Sequence, residues 1–363
     1  MPPRSSSKRH RADHKFLSVQ IRNTSLQHVF GACNFLRANI TAISLPGRLN
    51  GHNGVSRITL EIKPRGKPIR KLPKSISIGR DATAVSLYAS IAQQAQFSIH
   101  RLRITKASDG TLVKNNKDIT IESTGLRNQS VIYVKDLGPQ AAWRTVYFIE
   151  YLGPLIMHPL LLYVIRPYVY RSPSSLPPPS DLQRLTCLLL VLHFVKREIE
   201  TLFVHRFSLA TMPASYIVRN SAHYWILGGA NLAYWVFSPS SPTARSEANP
   251  ILLYAGLTLF TFGQLANFNA HLTLRNLRKE GDTTRRIPTG FGFNLVTCPN
   301  YLFEVIAWLG IYLVSSMSWS ILLFIVVGSA TMMRWAGQKE RRYRREFGDK
   351  YKRKRYVMFP GIW

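Results

Sequence analysis

The stretch VKDLGPQAAWRTVYFIEYLGPL, residues 134–155, divides this chain of 363 residues into two kinds of sequence. Before it, short segments alternate apolar and polar side chains and are separated by turn residues. From Trp143 onward, long apolar stretches recur as far as the C-terminal region. The division predicts a small α+β domain followed by an all-α polytopic membrane domain over residues 138–363.

The membrane part contains six apolar stretches, each able to supply roughly the 20 residues that cross a bilayer core of about 30 Å. Pro- and Ser-rich segments separate some of them, and the last two are short. We therefore predict about six transmembrane helices, within a range of five to seven. The stretches lie near 145–165, 183–204, 220–237, 250–270, 301–316 and 318–335.

The α+β part precedes the boundary and covers residues 55–137. Residues 58–62 alternate apolar and polar side chains, as a half-buried strand does, and a second short alternation follows. The apolar positions over 84–95 have helical spacing, and two more alternating segments come after them. The order strand, strand, helix, strand, strand predicts a ubiquitin-like β-grasp domain.

Residues 1–54 are basic, with Asp13 as their one acidic residue. We predict a disordered extension here. Because basic, acid-poor segments also occur in organelle transit peptides, that interpretation is the alternative.

Basic residues outnumber acidic ones widely: 48 Lys and Arg stand against 18 Asp and Glu, a net charge of +30. They alternate with the apolar stretches rather than lining one soluble module, which argues against nucleic-acid binding. With six crossings, the basic segments 271–300 and 336–363 share one side of the membrane with residues 1–144. The positive-inside rule then predicts that both termini and the α+β domain are cytosolic.

The cysteines and histidines do not indicate a metal site. Cys33, Cys187 and Cys298 are far apart and lack metal-ligand spacing, so they predict neither a disulfide framework nor a zinc site. His193 and His205 also lack the H-E-x-x-H spacing of a metalloprotease.

Ionisable groups within a bilayer are costly, so each of them is a candidate for function. In the predicted topology they collect near the cytosolic ends of the second, fourth and fifth crossings. A polar cavity open to the cytosol would bring them together, and side chains that extend to the lipid headgroups are the alternative. These residues are Lys196, Glu200, Asn267, Asn269, His271, Asn300, Tyr301 and Glu304.

The loop 271–300 carries several guanidinium groups, which suit bidentate binding of phosphates. By charge alone, the same residues could serve only to orient the chain in the membrane. No G-x-G-x-x-G follows a strand, so a nucleotide would have to bind among the helix ends. The arginines of this loop are Arg275, Arg278, Arg285 and Arg286.

Five segments carry a family resemblance: VKDLGPQAAWRTVYFIEYLGPL (134–155), KREIETLFVHRFSLATMP (196–213), GQLANFNAHLTLRNLR (263–278), RRIP (285–288) and CPNYLFEVIAWLG (298–310). With them, residues 135–363 resemble the steroid 5α-reductase superfamily, and within it the very-long-chain trans-2-enoyl-CoA reductase family. An N-terminal ubiquitin-like domain is typical of that family.

The resemblance implies NADPH-dependent reduction of the 2,3 double bond of long-chain trans-2-enoyl-CoA, the last step of very-long-chain fatty acid elongation. It implies a multi-pass enzyme of the endoplasmic reticulum membrane, surrounded by membrane lipid. The implied partners are the condensing enzyme, the ketoacyl reductase and the dehydratase of elongation.

The resemblance also implies roles for individual residues. Tyr301 matches the catalytic tyrosine and Lys196 the catalytic lysine. We hypothesise that Tyr301 donates a proton or hydrogen-bonds the developing oxyanion, and that the charge of Lys196 stabilises the tyrosinate. The family often has an acid where His271 stands, and this chain ends FPGIW rather than in an Ile-Pro-Phe-like tail. The implied cofactor-binding residues are Asn267, Arg275, Arg278, Arg286, Asn300, Glu304, Arg197 and Tyr343.

Other functions also fit parts of the sequence. A 3-oxo-Δ4-steroid or polyprenol reductase would share the superfamily's helices. A membrane methyltransferase of the isoprenylcysteine type has broadly similar C-terminal helices but would use S-adenosylmethionine. A non-catalytic ubiquitin-like adaptor would leave the intramembrane Lys196 and Tyr301 without a role.

Overall fold

The computed structural model describes residues 56–170, 176–207, 210–245, 247–277, 285–351 and 356–362. These residues form a small sheet with one helix, followed by a mostly helical part. The extension predicted over 1–54 and the candidate Arg278 lie outside the described residues.

The N-terminal sheet has four strands in the order β2-β1-β4-β3. The central strands β1 and β4 run parallel, and β2 and β3 pair antiparallel at the two edges. The strands are β1 (Arg57–Pro64), β2 (Ser75–Gly79), β3 (Leu102–Lys106) and β4 (Val131–Asp136).

One face of this sheet packs on helix α1 (Ala84–Ala95), which has the same bounds as the helix predicted from the sequence. The helix begins there because the Thr83 hydroxyl accepts the Ser86 N–H as an N-cap. Leu87 and Ile91 are fully buried against the apolar side chains of the strands. The apolar residues that alternate along the strands and those at helical spacing in α1 therefore form one core. The other face of the sheet is open to solvent.

The rest of the chain is mostly helical. Three helices of the described residues are long and apolar enough to cross a membrane, namely Trp143–Val169, Pro250–Asn276 and Trp319–Lys350, and Pro299–Val314 is a shorter apolar helix. The predicted second and third crossings are also helical and contain the π-helical segments Glu200–Val204 and Ala222–Asn231, as Trp143–Val169 contains Leu161–Ile165. We label the helices α2 (Trp143–Val169), α3 (Asp181–Ile199), α4 (Ser215–Ser221), α5 (Leu232–Val236), α6 (Pro250–Asn276), α7 (Pro299–Val314) and α8 (Trp319–Phe347).

Helices α6 and α7 pack unusually closely because glycines line their contact. A Cβ on Gly310 would lie 2.4 Å from the Phe260 backbone nitrogen and 2.6 Å from the Gly256 oxygen. A Cβ on Gly263 would lie 2.5 Å from the Ala307 nitrogen. Small residues let helix backbones approach in this way within a membrane. The seam brings the polar end of α6 against the first turns of α7.

Replacing Gly310 with Ala should destabilise the protein by about 1–3 kcal/mol or more, because the added methyl group meets backbone atoms that cannot rotate away. The measurement is thermal unfolding of the purified protein in detergent. Gly328→Ala is the matched control, since a Cβ on Gly328, in α8, meets nothing within 4 Å. Equal unfolding temperatures for the two variants would contradict the close packing of α6 on α7.

The C-terminal tail, residues 356–362, pairs with the residues that immediately precede α7. Val296 pairs with Tyr356 in a parallel bridge, and the Cys298 N–H donates to the Val357 oxygen at 3.2 Å. Met358 is fully buried. The tail thus packs beside the residues that precede Tyr301, although its sequence departs from the pattern of the family that it resembles.

Candidate active site

Glu200 is the centre of a buried ionic cluster at the end of α3. The carboxylate is fully buried; Lys196 Nζ lies 2.9 Å from its Oε1 and Arg197 donates to its Oε2 at 2.6 Å. His271 Nδ1, from α6, lies 3.1 Å from Oε1. Glu200 also begins the π-helical segment, a distortion that is frequent at functional sites.

Asn267 links this cluster to α7. Its side-chain oxygen accepts from Lys196 Nζ at 2.5 Å, and its amide nitrogen donates to the Asn300 backbone oxygen at 2.8 Å and to Glu304 Oε2 at 3.1 Å. Both ends of the amide are therefore used within the protein. The structure thus brings together Lys196, Asn267, Asn300 and Glu304 from three helices, as expected from their shared depth.

His193 and Gln264 extend the network, and neither was predicted. His193 Nε2 lies 3.3 Å from Glu304 Oε1, and its Nδ1 lies 2.8 Å from Gln264 Nε2. An amide NH₂ can only donate, so Nδ1 accepts and Nε2–H points to Glu304. One signal was available in the sequence: His193 stands three residues before Lys196, on the same helix face.

The cluster is electrically balanced by its own side chains. Lys196 and Arg197 carry two positive charges, and Glu200 and Glu304 carry two negative ones. Balanced pairing is what allows ions to remain buried, since an unpaired buried charge is costly. The catalytic-site candidates are therefore held in fixed positions before any ligand binds.

Three groups of this region could in principle hold a metal ion. Ligand atoms of Glu200, His205 and His271 lie within 4.8 Å of one another. However, Lys196 and Arg197 already bind both oxygens of Glu200. A divalent ion would add two positive charges beside two cations in a low-dielectric site, so the geometry favours a histidine–carboxylate pair over a metal centre.

Tyr301 lies in the first turn of α7 and is half-buried against the interior of the helical part. The cations whose charges act most strongly on its hydroxyl are Lys339 and Arg197. Among the described residues, no hydrogen bond joins Tyr301 to Lys196, whose ammonium is held by Glu200 and Asn267. The electrostatic role hypothesised for Lys196 therefore stays a prediction.

Arg197 also connects the ionic cluster to a stack of aromatic rings on α2. Its NH2 donates to the Tyr151 hydroxyl at 3.0 Å, and its guanidinium lies 5.1 Å from the centre of that ring. Tyr151 stacks with Tyr147 at 6.0 Å, and Tyr147 stacks with Trp143 at 5.7 Å. Arg197, implied as a cofactor contact, is therefore already engaged with three protein side chains, those of Glu200, His271 and Tyr151.

The remaining predicted cofactor residues lie around the ends of α6, α7 and α8. Arg275 is half-buried, and its backbone oxygen accepts from Arg206 NH1 at 3.3 Å. Arg286 is exposed and donates to the Leu277 oxygen at 2.9 Å. Tyr343 is buried, and its ring lies 5.4 Å from that of Tyr351 and 5.8 Å from that of Phe347.

Asn300 carries an unused polar atom in this region. Asn300 is buried, and among the described residues its side-chain oxygen Oδ1 has no hydrogen-bond partner. A buried amide oxygen without a donor is costly, so a bound ligand that donates a hydrogen bond would be favoured there.

Comparisons with known proteins identify the family. Residues 210–363 match the family described as 3-oxo-5-alpha-steroid 4-dehydrogenase. A Dictyostelium discoideum protein named very-long-chain enoyl-CoA reductase is 35% identical over 308 residues, which cover 83% of this chain and 99% of that protein. The chain belongs to the very-long-chain enoyl-CoA reductase family. This family lies within the steroid 5α-reductase superfamily, as the resemblance implied.

Two further relatives of this reductase family show how far the likeness extends. A Schizosaccharomyces pombe protein named as an enoyl reductase is 41% identical over 304 residues, 84% of this chain and 99% of that protein. A Homo sapiens protein named trans-2,3-enoyl-CoA reductase-like is 29% identical over 250 residues, 67% of each. The chain thus spans nearly the whole length of its two more similar relatives.

Proposed function

We propose that this chain reduces the 2,3 double bond of trans-2-enoyl-CoA to saturated acyl-CoA with NADPH, as the last step of very-long-chain fatty acid elongation. The observation that carries the proposal is the 35% identity, over 83% of this chain, to a relative named for this reaction. An oxidoreductase acting on CH–CH bonds follows from the family. NADPH and the elongation cycle are the further steps of the proposal.

The donor set around the candidate site suits a dinucleotide. Guanidinium groups of Arg275 and Arg286 lie near the end of α6, where they can bind phosphate oxygens. The unpartnered Asn300 oxygen suits a ligand amide or hydroxyl donor. The bound cofactor would supply the hydride that C3 of the substrate accepts.

The protein's own contribution would be proton delivery and charge stabilisation. Hydride addition at C3 moves negative charge toward C2 and the thioester oxygen, and Tyr301 would donate the proton that C2 requires. The positive charges of Arg197 and Lys339 would stabilise the tyrosinate that remains. Lys196 would act by holding Glu200 and Asn267, and through Asn267 the first turns of α7.

We further propose six transmembrane helices with both termini in the cytosol of the endoplasmic reticulum membrane. Three long apolar helices and one shorter one support a membrane domain over residues 138–363. The sheet order β2-β1-β4-β3, with parallel central strands and one packed helix, supports a ubiquitin-like domain over residues 55–137. The condensing enzyme, ketoacyl reductase and dehydratase of elongation are the proposed partners.

The test is an assay of the purified full-length protein with trans-2-hexadecenoyl-CoA. We expect oxidation of NADPH and formation of hexadecanoyl-CoA, with slower reaction when NADH replaces NADPH. A 3-oxo-Δ4-steroid and a polyprenol with an α-unsaturated end serve as the competing substrates. Faster reduction of either competitor, or binding of S-adenosylmethionine instead of NADPH, would contradict the proposal.

A further inference from the structure

Three exposed cations form a row across the open face of the sheet, the face that α1 does not cover. Arg103 on β3 lies directly opposite Lys135 on β4. Arg65 follows β1 beside the same end of β4, because its backbone N–H donates to the Val134 oxygen at 2.8 Å. Its guanidinium reaches over β4 to the Thr105 hydroxyl at 3.3 Å. We call Arg65, Lys135 and Arg103 the basic row.

The basic row weakens its own sheet. Like charges directly opposite each other on neighbouring strands are destabilising. Among the described residues, no acidic side chain lies within ion-pair distance of the row. Glu61 is the acid on this face, and it lies 4.0 Å from Lys63 instead. An arrangement that costs stability in the isolated protein is explained if an anionic ligand neutralises it.

The acid next in sequence is not available to the row. Asp136 accepts from Arg101 at 3.0 and 2.5 Å and from the Gly138 N–H at 2.8 Å. Arg101 thereby holds the pKa of Asp136 below its usual range, so the carboxylate stays ionised and paired. The charge of the basic row therefore remains uncompensated within the domain.

The position of the row along the chain points to the neutralising surface. Lys135 lies eight residues before Trp143, the first residue of a helix long and apolar enough to span a membrane. Eight residues extend at most about 28 Å, so the row lies within reach of the lipid headgroups beside Trp143. Basic residues held beside a bilayer attract anionic headgroups. Half-buried Tyr133, next to the row, is of a residue type suited to that interface.

We propose that the basic row docks the sheet domain on anionic phospholipid headgroups of the leaflet at which α2 enters the bilayer. Docking would fix the orientation of the sheet domain relative to the membrane. The contact is electrostatic, so it depends on lipid charge and on salt.

The test places the full-length protein in nanodiscs and measures energy transfer from a fluorophore on the sheet to headgroup-labelled lipid. Thr59→Cys provides an exposed attachment point on the open face, in a Cys33→Ser background, because Cys187 and Cys298 are buried. We expect higher transfer in nanodiscs containing phosphatidylserine than in phosphatidylcholine alone, and loss of that increase at high salt.

Variants with neutral side chains distinguish the effect of the basic row from that of the net positive charge of the domain. Changing Arg65, Lys135 and Arg103 to Gln should abolish most of the increase. Changing Lys114, Lys117 and Arg127 to Gln removes the same charge from exposed positions outside the row, and should preserve it.

Three results would overturn the proposal. The first is equal transfer in neutral and anionic nanodiscs. The second is the same loss in both triple variants, which would show dependence on net charge only. The third is loss of the increase in anionic nanodiscs when CoA or inorganic phosphate is added at constant ionic strength, which would assign the row to a soluble phosphate. Unfolding temperatures of the triple variants check that each domain remains folded.

Discussion

Replacing Tyr301 with Phe should lower kcat by about 10²- to 10⁴-fold, the usual contribution of a positioned general acid or base. The substitution removes only the hydroxyl, so the ring can keep its contacts with the interior of the helical part. KM for the enoyl-CoA should change much less, because the hydroxyl is proposed to act on charge that develops during the reaction. Steady-state assays of NADPH oxidation give both constants.

Tyr312→Phe is the control for this prediction. Tyr312 lies on the same helix, α7, and is partly buried in the same interior. We expect it to keep nearly wild-type turnover. If Tyr301→Phe also keeps wild-type turnover at normal protein levels, Tyr301 is not the proton donor. If both variants lose activity together, the loss reflects packing of α7 rather than chemistry.

Replacing Glu200 with Gln should reduce the free energy of unfolding by about 3–5 kcal/mol, the cost of removing one partner from a buried ionic group. The change leaves Lys196 and Arg197 without their shared counter-ion in a site where Glu200 is fully buried. The amide carries no charge, and its NH₂ end cannot accept a hydrogen bond from Lys196 or Arg197. Thermal unfolding in detergent, with and without NADPH, measures the effect.

Glu198→Gln is the matched control, because it makes the same substitution two residues earlier. Glu198 is also buried, but among the described residues neither of its carboxylate oxygens has a hydrogen-bond partner. Neutralising an unpaired buried carboxylate should leave stability unchanged or raise it. Equal destabilisation by the two variants would mean that the ionic cluster around Glu200 contributes no more than ordinary burial.

The predictions from the sequence that hold best are those that depend on neighbouring residues. The helix predicted over 84–95 has the same bounds in the structure, because its apolar spacing and its Thr83 cap are local properties. The mostly helical membrane domain follows equally from the length of its apolar stretches. The family follows from motifs that are contiguous in the sequence.

The sequence predicts the presence of transmembrane helices more clearly than it predicts their number. The apolar patterns near 183–204 and 220–237 predicted two plain helices, whereas both regions contain π-helical segments. Hydropathy records how apolar a stretch is and carries no information on local changes of helical winding. The proposed six crossings therefore rest on the charge pattern as well as on the apolar helices.

By itself, the sequence determined that this chain joins a small α+β domain to membrane helices, that polar residues collect at one depth, and that the chain has the motifs of the enoyl-CoA reductase family. Only the tertiary structure decided which of these residues touch. Lys196 reaches Asn267 across 71 positions of sequence, and His193 meets Gln264 at the same separation. These two contacts join α3 to α6, and Asn267 in turn contacts Asn300 and Glu304 on α7. That last contact depends on how closely α6 and α7 approach, a distance set by glycines such as Gly310 that have no side chain.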